Sequence, residues 1–178
     1  EKPELVIVQG DTTSALAAAM VSFFNKVKIA HIEAGLRTNN LDAPWPEEAN
    51  RKLISAIADF NFTPTNFSKN NLIKEGINKS KIFLTGNTVV DSLSQISKKI
   101  NSNKKKTNYL NKKFPFLNSK KKIILITLHR REIFGKKFKL ILKSFKQIAK
   151  NNKNLNFIYP VHLNPNIKGF VFKELVSI

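Results

Sequence analysis

The sequence has no cysteine, no long apolar run and few arginines. The absence of cysteine in 178 residues excludes disulfide bonds and thiolate metal sites, and it fits a reducing compartment. No apolar stretch approaches the ~20 residues that cross a bilayer. We therefore expect a cytoplasmic protein without membrane contact. Its 42% of hydrophobic residues is enough to form a core in one or two domains.

Acidic residues are scarce only in the second half of the chain. Residues 1–88 carry ten Lys and Arg against nine Asp and Glu, whereas residues 89–178 carry 21 against three. Only four of the 31 basic residues are Arg, the residue favoured for base edges and bidentate phosphate contacts. The lysines accompany many Asn, Ile and Phe residues, whose codons are rich in A or T. We favour compositional drift over solvated helix faces, with a polyanion-binding surface as the alternative.

Short apolar runs alternate with helix-length patterns. Strands are predicted at residues 5–8, 28–33, 60–62, 81–84, 123–126 and 157–159, and the runs 5–8 and 123–126 are expected to be buried. Helices are predicted at residues 14–24, from Pro46 onwards, and at 65–75, 88–99 and 136–150. The Lys- and Asn-rich residues 101–121 predict an exposed connection. This alternation indicates an α/β fold with two parallel sheets that divide between residues 85 and 120.

Four candidate functional residues follow from that architecture. Ligands of open parallel sheets bind outside the carboxyl ends of the strands. Asp11, Glu33 and His129 each lie at or just past such an end, and Glu47 lies at the start of a helix. His129 also precedes two arginines, an arrangement typical of anion binding.

Each acidic candidate also has a purely structural interpretation. Asp11 could cap its helix, and Glu33 could pair with Arg37. Glu47 and Glu48 in a first turn are favoured by the helix dipole, which stabilises the carboxylate and so suits a base better than an acid. If either donates a proton, desolvation by a neighbour has to outweigh the dipole.

The three histidines are widely separated and do not predict a metal site. His31 stands two residues before Glu33 on an apolar strand and is expected to be packed in the core. His162 lies between apolar residues in a proline-bounded turn, where core and binding roles are equally compatible with the pattern.

Six motifs in register resemble the non-hydrolysing UDP-N-acetylglucosamine 2-epimerases. They are Gly10–Thr13, His31–Arg37, Pro44–Arg51, Thr85–Asp91, His129–Glu132 and Pro160–Pro165. The resemblance implies a GT-B-type fold of two Rossmann-like domains, both incomplete in this chain, with the active site in the cleft between them. Residues 1–90 would then be the later part of the first domain, 91–121 a helix and connection, and 122–178 the start of the second.

The resemblance also implies an activity and a set of site residues. Family members interconvert UDP-N-acetylglucosamine and UDP-N-acetylmannosamine by eliminating UDP and adding it back with inversion at C2, as part of cell-envelope polysaccharide biosynthesis. By motif match Asp11, Glu33 and Glu47 would transfer protons, and His129 would act on the UDP oxygens. The expected substrate-binding residues are Arg130, His162, Arg37 and Glu48. No metal or redox cofactor is expected, and the full-length enzyme is expected to be a homodimer.

The chain departs from the family pattern in two ways, and other functions compete with the one implied. Leu128 stands where many relatives have Gly. The chain resembles roughly the middle half of the enzyme, so we expect no turnover by these 178 residues alone. Hydrolysing epimerases are the nearest competitor, although the segment Pro44–Glu48 is typical of the non-hydrolysing branch. The remaining alternatives are a GT-B glycosyltransferase and a basic polyanion-binding protein; nucleic acid is a disfavoured partner.

Overall fold

The computed structural model describes residues 3–128 and 135–175. The chain divides into two units, residues 1–96 and 97–178, with the boundary inside one helix. The first unit contains a four-stranded sheet and the second a two-stranded sheet, and all described strand pairs are parallel. The prediction of an α/β fold with two parallel sheets is therefore confirmed.

The first sheet has the strand order β1-β2-β3-β4. Its strands are β1 (Leu5–Gln9), β2 (Lys28–Ile32), β3 (Phe60–Thr63) and β4 (Ile82–Leu84). The connecting helices are α1 (Thr13–Phe24), α2 (Glu47–Ile57) and α3 (Asn66–Lys74), and α4 (Thr88–Asn101) follows β4. Because sequential parallel strands are joined by helices, the carboxyl ends of all four strands lie at one edge of the sheet. The predicted site residues Asp11 and Glu33 follow two of these ends.

Local sequence determines where these helices begin. The Thr12 and Thr65 side chains accept hydrogen bonds from Ala15 N and Ser68 N, which satisfies a free N–H at the start of α1 and of α3. Helix α2 begins at Glu47, so Pro46 precedes it and does not occupy the predicted first helical position. Its Glu-rich first turn follows the prediction, and of its apolar stripe Ile54 is fully buried whereas Leu53 is 53% exposed.

The core of the first unit lies between β1, β2, α1 and α2. It contains Val8, Ala15, Ala19, Ile29, Ile54 and Ala58. The alanines of α1 allow close approach to the sheet because they have little side-chain volume. Burial of β1 on both faces is nevertheless not seen in the described residues: Ile7 is 62% exposed, because the core packs against the face of β1 that carries Val6 and Val8.

The second unit is built around β5 (Lys122–Leu125) and β6 (Leu155–Ile158). Its helices are α5 (Lys104–Lys113), α6 (Lys136–Asn151) and α7 (Pro165–Leu175), and residues Pro115–Asn118 form a 3₁₀ turn. Phe138 and Leu142 of α6 pack against Ile167 and Val171 of α7 to form its core. Helix α7 has no counterpart among the predicted elements.

Two further expectations for the second unit are wrong. Residues 101–121 are exposed as expected but they are largely helical, because Asn103 caps α5 by accepting from Lys106 N. Of the run 123–126 only Ile126 is buried, whereas Ile123 and Leu125 are 40% and 63% exposed in this two-stranded sheet. In the part of the chain that the structure describes, no helix combines the length and apolarity needed to cross a membrane.

Candidate active site

Three predicted carboxylates meet at the carboxyl edge of the first sheet. Asp11 follows Gly10 in the turn after β1, Glu33 directly follows β2, and Glu47 opens α2. Both Glu33 and Glu47 repel negative charge on Asp11. Glu33 Oε2 also lies 3.7 Å from the point where a Cβ on Gly10 would stand. The structure therefore brings together three acid–base groups that lie 22 and 14 residues apart in the sequence.

The environment of Asp11 favours its protonated form. Burial raises the pKa of Asp11, and the neighbouring Glu47 and Glu33 raise it further, while Arg51 opposes them. Arg51 Nε lies 3.3 Å from Asp11 Oδ2. The net effect is a pKa above the ordinary 3.8. Such a shift brings a carboxyl group closer to the range in which it can both accept and donate protons.

Glu33 has a strained backbone conformation. Its φ of 66° lies in the left-handed region, which side-chain-bearing residues seldom adopt and which costs about 1–3 kcal/mol. Its Oε1 accepts a hydrogen bond from Gln9 Nε2 at 3.4 Å. Strain of this kind concentrates at functional sites, where it directs a side chain into a required position.

Two buried side chains support the turn that carries Asp11. His31 Nε2 lies 2.9 Å from the carbonyl oxygen of Gly10, and Asn50 Nδ2 donates to the carbonyl oxygen of Asp11 at 2.8 Å. His31 is fully buried, and burial lowers its pKa to about 4. The expectation that His31 is packed in the core is confirmed.

Glu48 is inaccessible to solvent. Its carboxylate accepts hydrogen bonds from Thr38 N at 3.0 Å and Asn39 N at 3.1 Å. Arg51 Nε lies 3.4 Å from Glu48 Oε2. These contacts fasten the loop after β2 to the first turn of α2. The carboxylate is thereby occupied within the protein.

Arg37 and His162 each bond to partners within their own unit. The Arg37 guanidinium donates to both Glu75 oxygens, at 2.8 and 2.7 Å, and to the Leu36 carbonyl oxygen. This pairing lowers the pKa of Glu75, and it replaces the Glu33–Arg37 pair considered from the sequence. His162 is an exposed turn residue of the second unit, where its Nδ1 accepts from Asn164 N.

His129 and Arg130 lie outside the described residues. Leu128, just before them, packs against the core of the second unit, and its carbonyl oxygen accepts from the Tyr159 hydroxyl at 2.7 Å. The bulky residue at this position is therefore accommodated by packing. Among residues 3–128 and 135–175, no group of three His, Asp or Glu side chains could hold a metal ion.

Sequence reasoning did not assign a role to Asn50 or Arg51, although both belong to the Pro44–Arg51 motif. A positional signal was present, since they follow Glu47 by three and four residues and so lie on the same face of α2. What the sequence could not show is that this face meets the turn after β1. Helix α2 therefore contributes a carboxylate, an amide and a guanidinium to one site.

The fold and this site define a class: α/β proteins in which acid–base side chains lie at the carboxyl ends of the parallel strands, where such folds bind ligands. Comparison with known proteins identifies the particular family. A family model for UDP-N-acetylglucosamine 2-epimerase matches residues 1–178. The chain belongs to this family, and the GT-B-type fold expected from the resemblance is confirmed.

Individual relatives agree with the family assignment. The UDP-N-acetylglucosamine 2-epimerase of Campylobacter jejuni is 49% identical over 180 residues, which cover 99% of this chain and 47% of that protein. The Neisseria meningitidis enzyme, solved bound to UDP-GlcNAc, has a TM-score of 0.95 and 44% identity over 99% of this chain and 47% of its own. The Methanocaldococcus jannaschii enzyme in complex with UDP-GlcNAc and UDP has a TM-score of 0.77 and 38% identity, with 99% and 46% coverage. The chain thus spans about half the length of the curated relatives it matches.

Proposed function

We propose that the protein to which this chain belongs interconverts UDP-N-acetylglucosamine and UDP-N-acetylmannosamine. The observation that carries the proposal is the grouping of Asp11, Glu33 and Glu47 at one sheet edge in a member of this family. Epimerisation at C2 needs a base on one face of the sugar and an acid on the other, and one carboxylate cannot easily serve both faces. Relatives solved with UDP-GlcNAc support the choice of substrate.

The proposed reaction balances without a redox cofactor. A carboxylate removes the C2 proton, the C–H electron pair forms the C1–C2 double bond, and the C1–O bond breaks as UDP departs with its electron pair. A second carboxyl group then protonates C2 from the opposite face while UDP re-forms its bond to C1. Asp11, with its raised pKa, is suited to the donating role, since it holds a proton more readily than an ordinary aspartate.

The other residues predicted for the site are proposed to have roles outside proton transfer at C2. On the strength of the family motifs, His129 is proposed to stabilise or protonate the departing UDP oxygens, and Arg130 and His162 to lie near the nucleotide sugar. Glu48 and Arg37 are proposed to act indirectly, because the protein itself occupies their charged groups. A homodimer in the cytoplasm, without membrane or nucleic acid as partner, completes the proposal.

A chimera tests the mechanism. Residues 1–178 replace the matching segment of the Neisseria meningitidis relative, and C2 exchange with solvent deuterium is followed by NMR together with formation of the manno epimer. Glu47→Gln should reduce exchange by about 10²–10⁴-fold, the range typical of lost acid–base catalysis. The matched control is Glu4→Gln, an exposed carboxylate just before β1.

Three outcomes would count against this mechanism. Undiminished exchange in the Glu47→Gln chimera would remove Glu47 from proton transfer. Equal losses in the Glu4→Gln chimera would show that the effect is not local to the site. Release of free N-acetylmannosamine would place the protein with the hydrolysing enzymes.

A further inference from the structure

The two elements that present Glu33 and Glu47 also hold the turn that presents Asp11. His31 lies on β2, two residues before Glu33, and its Nε2 is 2.9 Å from the carbonyl oxygen of Gly10. Asn50 lies on α2, three residues after Glu47, and donates to the carbonyl oxygen of Asp11 at 2.8 Å. Each contact therefore connects the Gly10–Asp11 turn to an element that carries one of the other two acid–base residues.

Both contacts are protected from water. His31 is 0% and Asn50 5% exposed, so breaking either bond would leave a buried polar group unpaired. The His31 ring is neutral at pH 7 because burial lowers its pKa to about 4. Since the Gly10 carbonyl oxygen only accepts, Nε2 carries the ring proton, and Nδ1 is left to accept from the Ser55 hydroxyl 3.5 Å away.

These bonds oppose the repulsion of the Asp11 carboxylate by Glu33 and Glu47. Glu33 and Glu47 repel its carboxylate, whereas Arg51, 3.3 Å from Oδ2, attracts it. Burial and repulsion from the two glutamates both favour a position of the carboxylate nearer solvent, and the attraction of Arg51 opposes that movement. The contacts from His31 and Asn50 hold the backbone on either side of the Gly10–Asp11 peptide and so act in the same direction as Arg51.

We propose that His31 and Asn50 are positioning residues that keep Asp11 in register with Glu33 and Glu47. This inference rests on the proposed function, which requires the three carboxyl groups to keep fixed positions relative to one another. Neither side chain needs to touch the substrate. Their contribution matters because a displacement of about 1 Å at a catalytic group can reduce a rate by about 10²-fold.

The carboxyl ¹³C titration of Asp11 in the 178-residue chain tests the proposal without any substrate. Asp11→Asn identifies its signal among the four aspartates. Asn50→Ala and His31→Leu should each lower the Asp11 midpoint by about half a pH unit or more, because the carboxylate becomes more hydrated and moves away from its like-charged neighbours. Asn50→Leu, which is closer in volume to asparagine, replaces Asn50→Ala if the smaller side chain prevents folding.

Two matched variants separate positioning from general stabilisation. Asn71→Ala removes the same kind of bond, from Nδ2 to the carbonyl oxygen of Gly35 at 2.9 Å, in α3, and should leave the Asp11 midpoint unchanged. His31→Gln should restore it, because the glutamine Nε2 can take the place of the imidazole Nε2. If the Asn50 and His31 variants titrate like the unmodified chain, or if Asn71→Ala shifts the midpoint equally, the proposal is overturned. The titration needs no activity, so it can fail or succeed independently of C2 exchange.

Discussion

At the scale of single residues, the buried His31 makes the first unit sensitive to acid. Its pKa is about 4 in the folded chain against an ordinary value of 6.5. Between these pH values the His31 imidazole is protonated more in the unfolded chain than in the folded chain. The stability of the folded unit is therefore unaffected by this group above pH 6.5 and falls as the pH is lowered towards 4. We expect the free energy of unfolding to fall by up to about 1.4 kcal/mol per pH unit in this window.

Urea titrations at pH 7, 6 and 5, followed by the amide NMR signals of β2, measure this slope. Staying at pH 5 and above keeps Glu75 ionised, because its lowered pKa places the loss of its contribution below 4.5. His31→Gln should flatten the slope, and His162→Gln at an exposed position should not. The same slope in the chain and in His31→Gln would contradict the assignment to His31.

At the scale of elements, Glu48 connects the loop after β2 to helix α2. Glu48→Gln replaces one acceptor oxygen by an NH₂ group that faces Thr38 N, Asn39 N or Arg51. We expect a loss of about 2–3 kcal/mol in the free energy of unfolding, since hydrogen bonds to a charged group are being broken. Amide exchange at Thr38 and Asn39 should accelerate, as measured by NMR.

Glu47→Gln is the matched control for this element. It removes an equivalent charge from the same first turn, but the two loop amides bond to Glu48. Protection of Thr38 and Asn39 should therefore persist in Glu47→Gln. Slow exchange of these amides in Glu48→Gln would show that other contacts hold the loop.

Elements with a clear apolar pattern could be predicted from the sequence, and the others could not. All six predicted strands occur, because each is a short apolar run next to a turn or helix signal. Helix α5 was missed because its Lys- and Asn-rich sequence has no apolar stripe. Helix α7 was missed because Pro165 and Gly169 resemble breaking signals, although Pro165 occupies the first helical position, where proline is favoured.

The site was predictable in its composition and less so in its connections. The meeting of Asp11, Glu33 and Glu47 follows from parallel topology, which puts the strand ends and the starts of the following helices at one edge of the sheet. The partners of Arg37 and Glu48 depend on which side chains and backbone amides meet after folding. Arg37 pairs with Glu75, which is 38 residues away in the sequence. No local sequence pattern predicts a pair with that separation.

At the scale of the whole molecule, the net charge of +19 belongs to the second unit. Residues 97–178 carry 21 Lys and Arg against two Asp and Glu, whereas residues 1–96 carry ten of each. The family match covers this basic half as well, which favours compositional drift over a polyanion-binding function. The charge nevertheless has a physical consequence for stability.

Mutual repulsion among these charges should make the second unit sensitive to salt. The screening length falls from about 30 Å at 0.01 M to about 8 Å at 0.15 M ionic strength, so added NaCl weakens repulsion between the lysines of this unit. We expect its unfolding free energy to rise by on the order of 1 kcal/mol, comparable to a surface ion pair. Amide hydrogen exchange in β6 and α6 measures the change, and β2 and β3 provide the control because residues 1–96 carry no net charge. Equal protection gains in both sheets would indicate a general salt effect, and no gain in β6 and α6 would show that repulsion does not limit the stability of this unit.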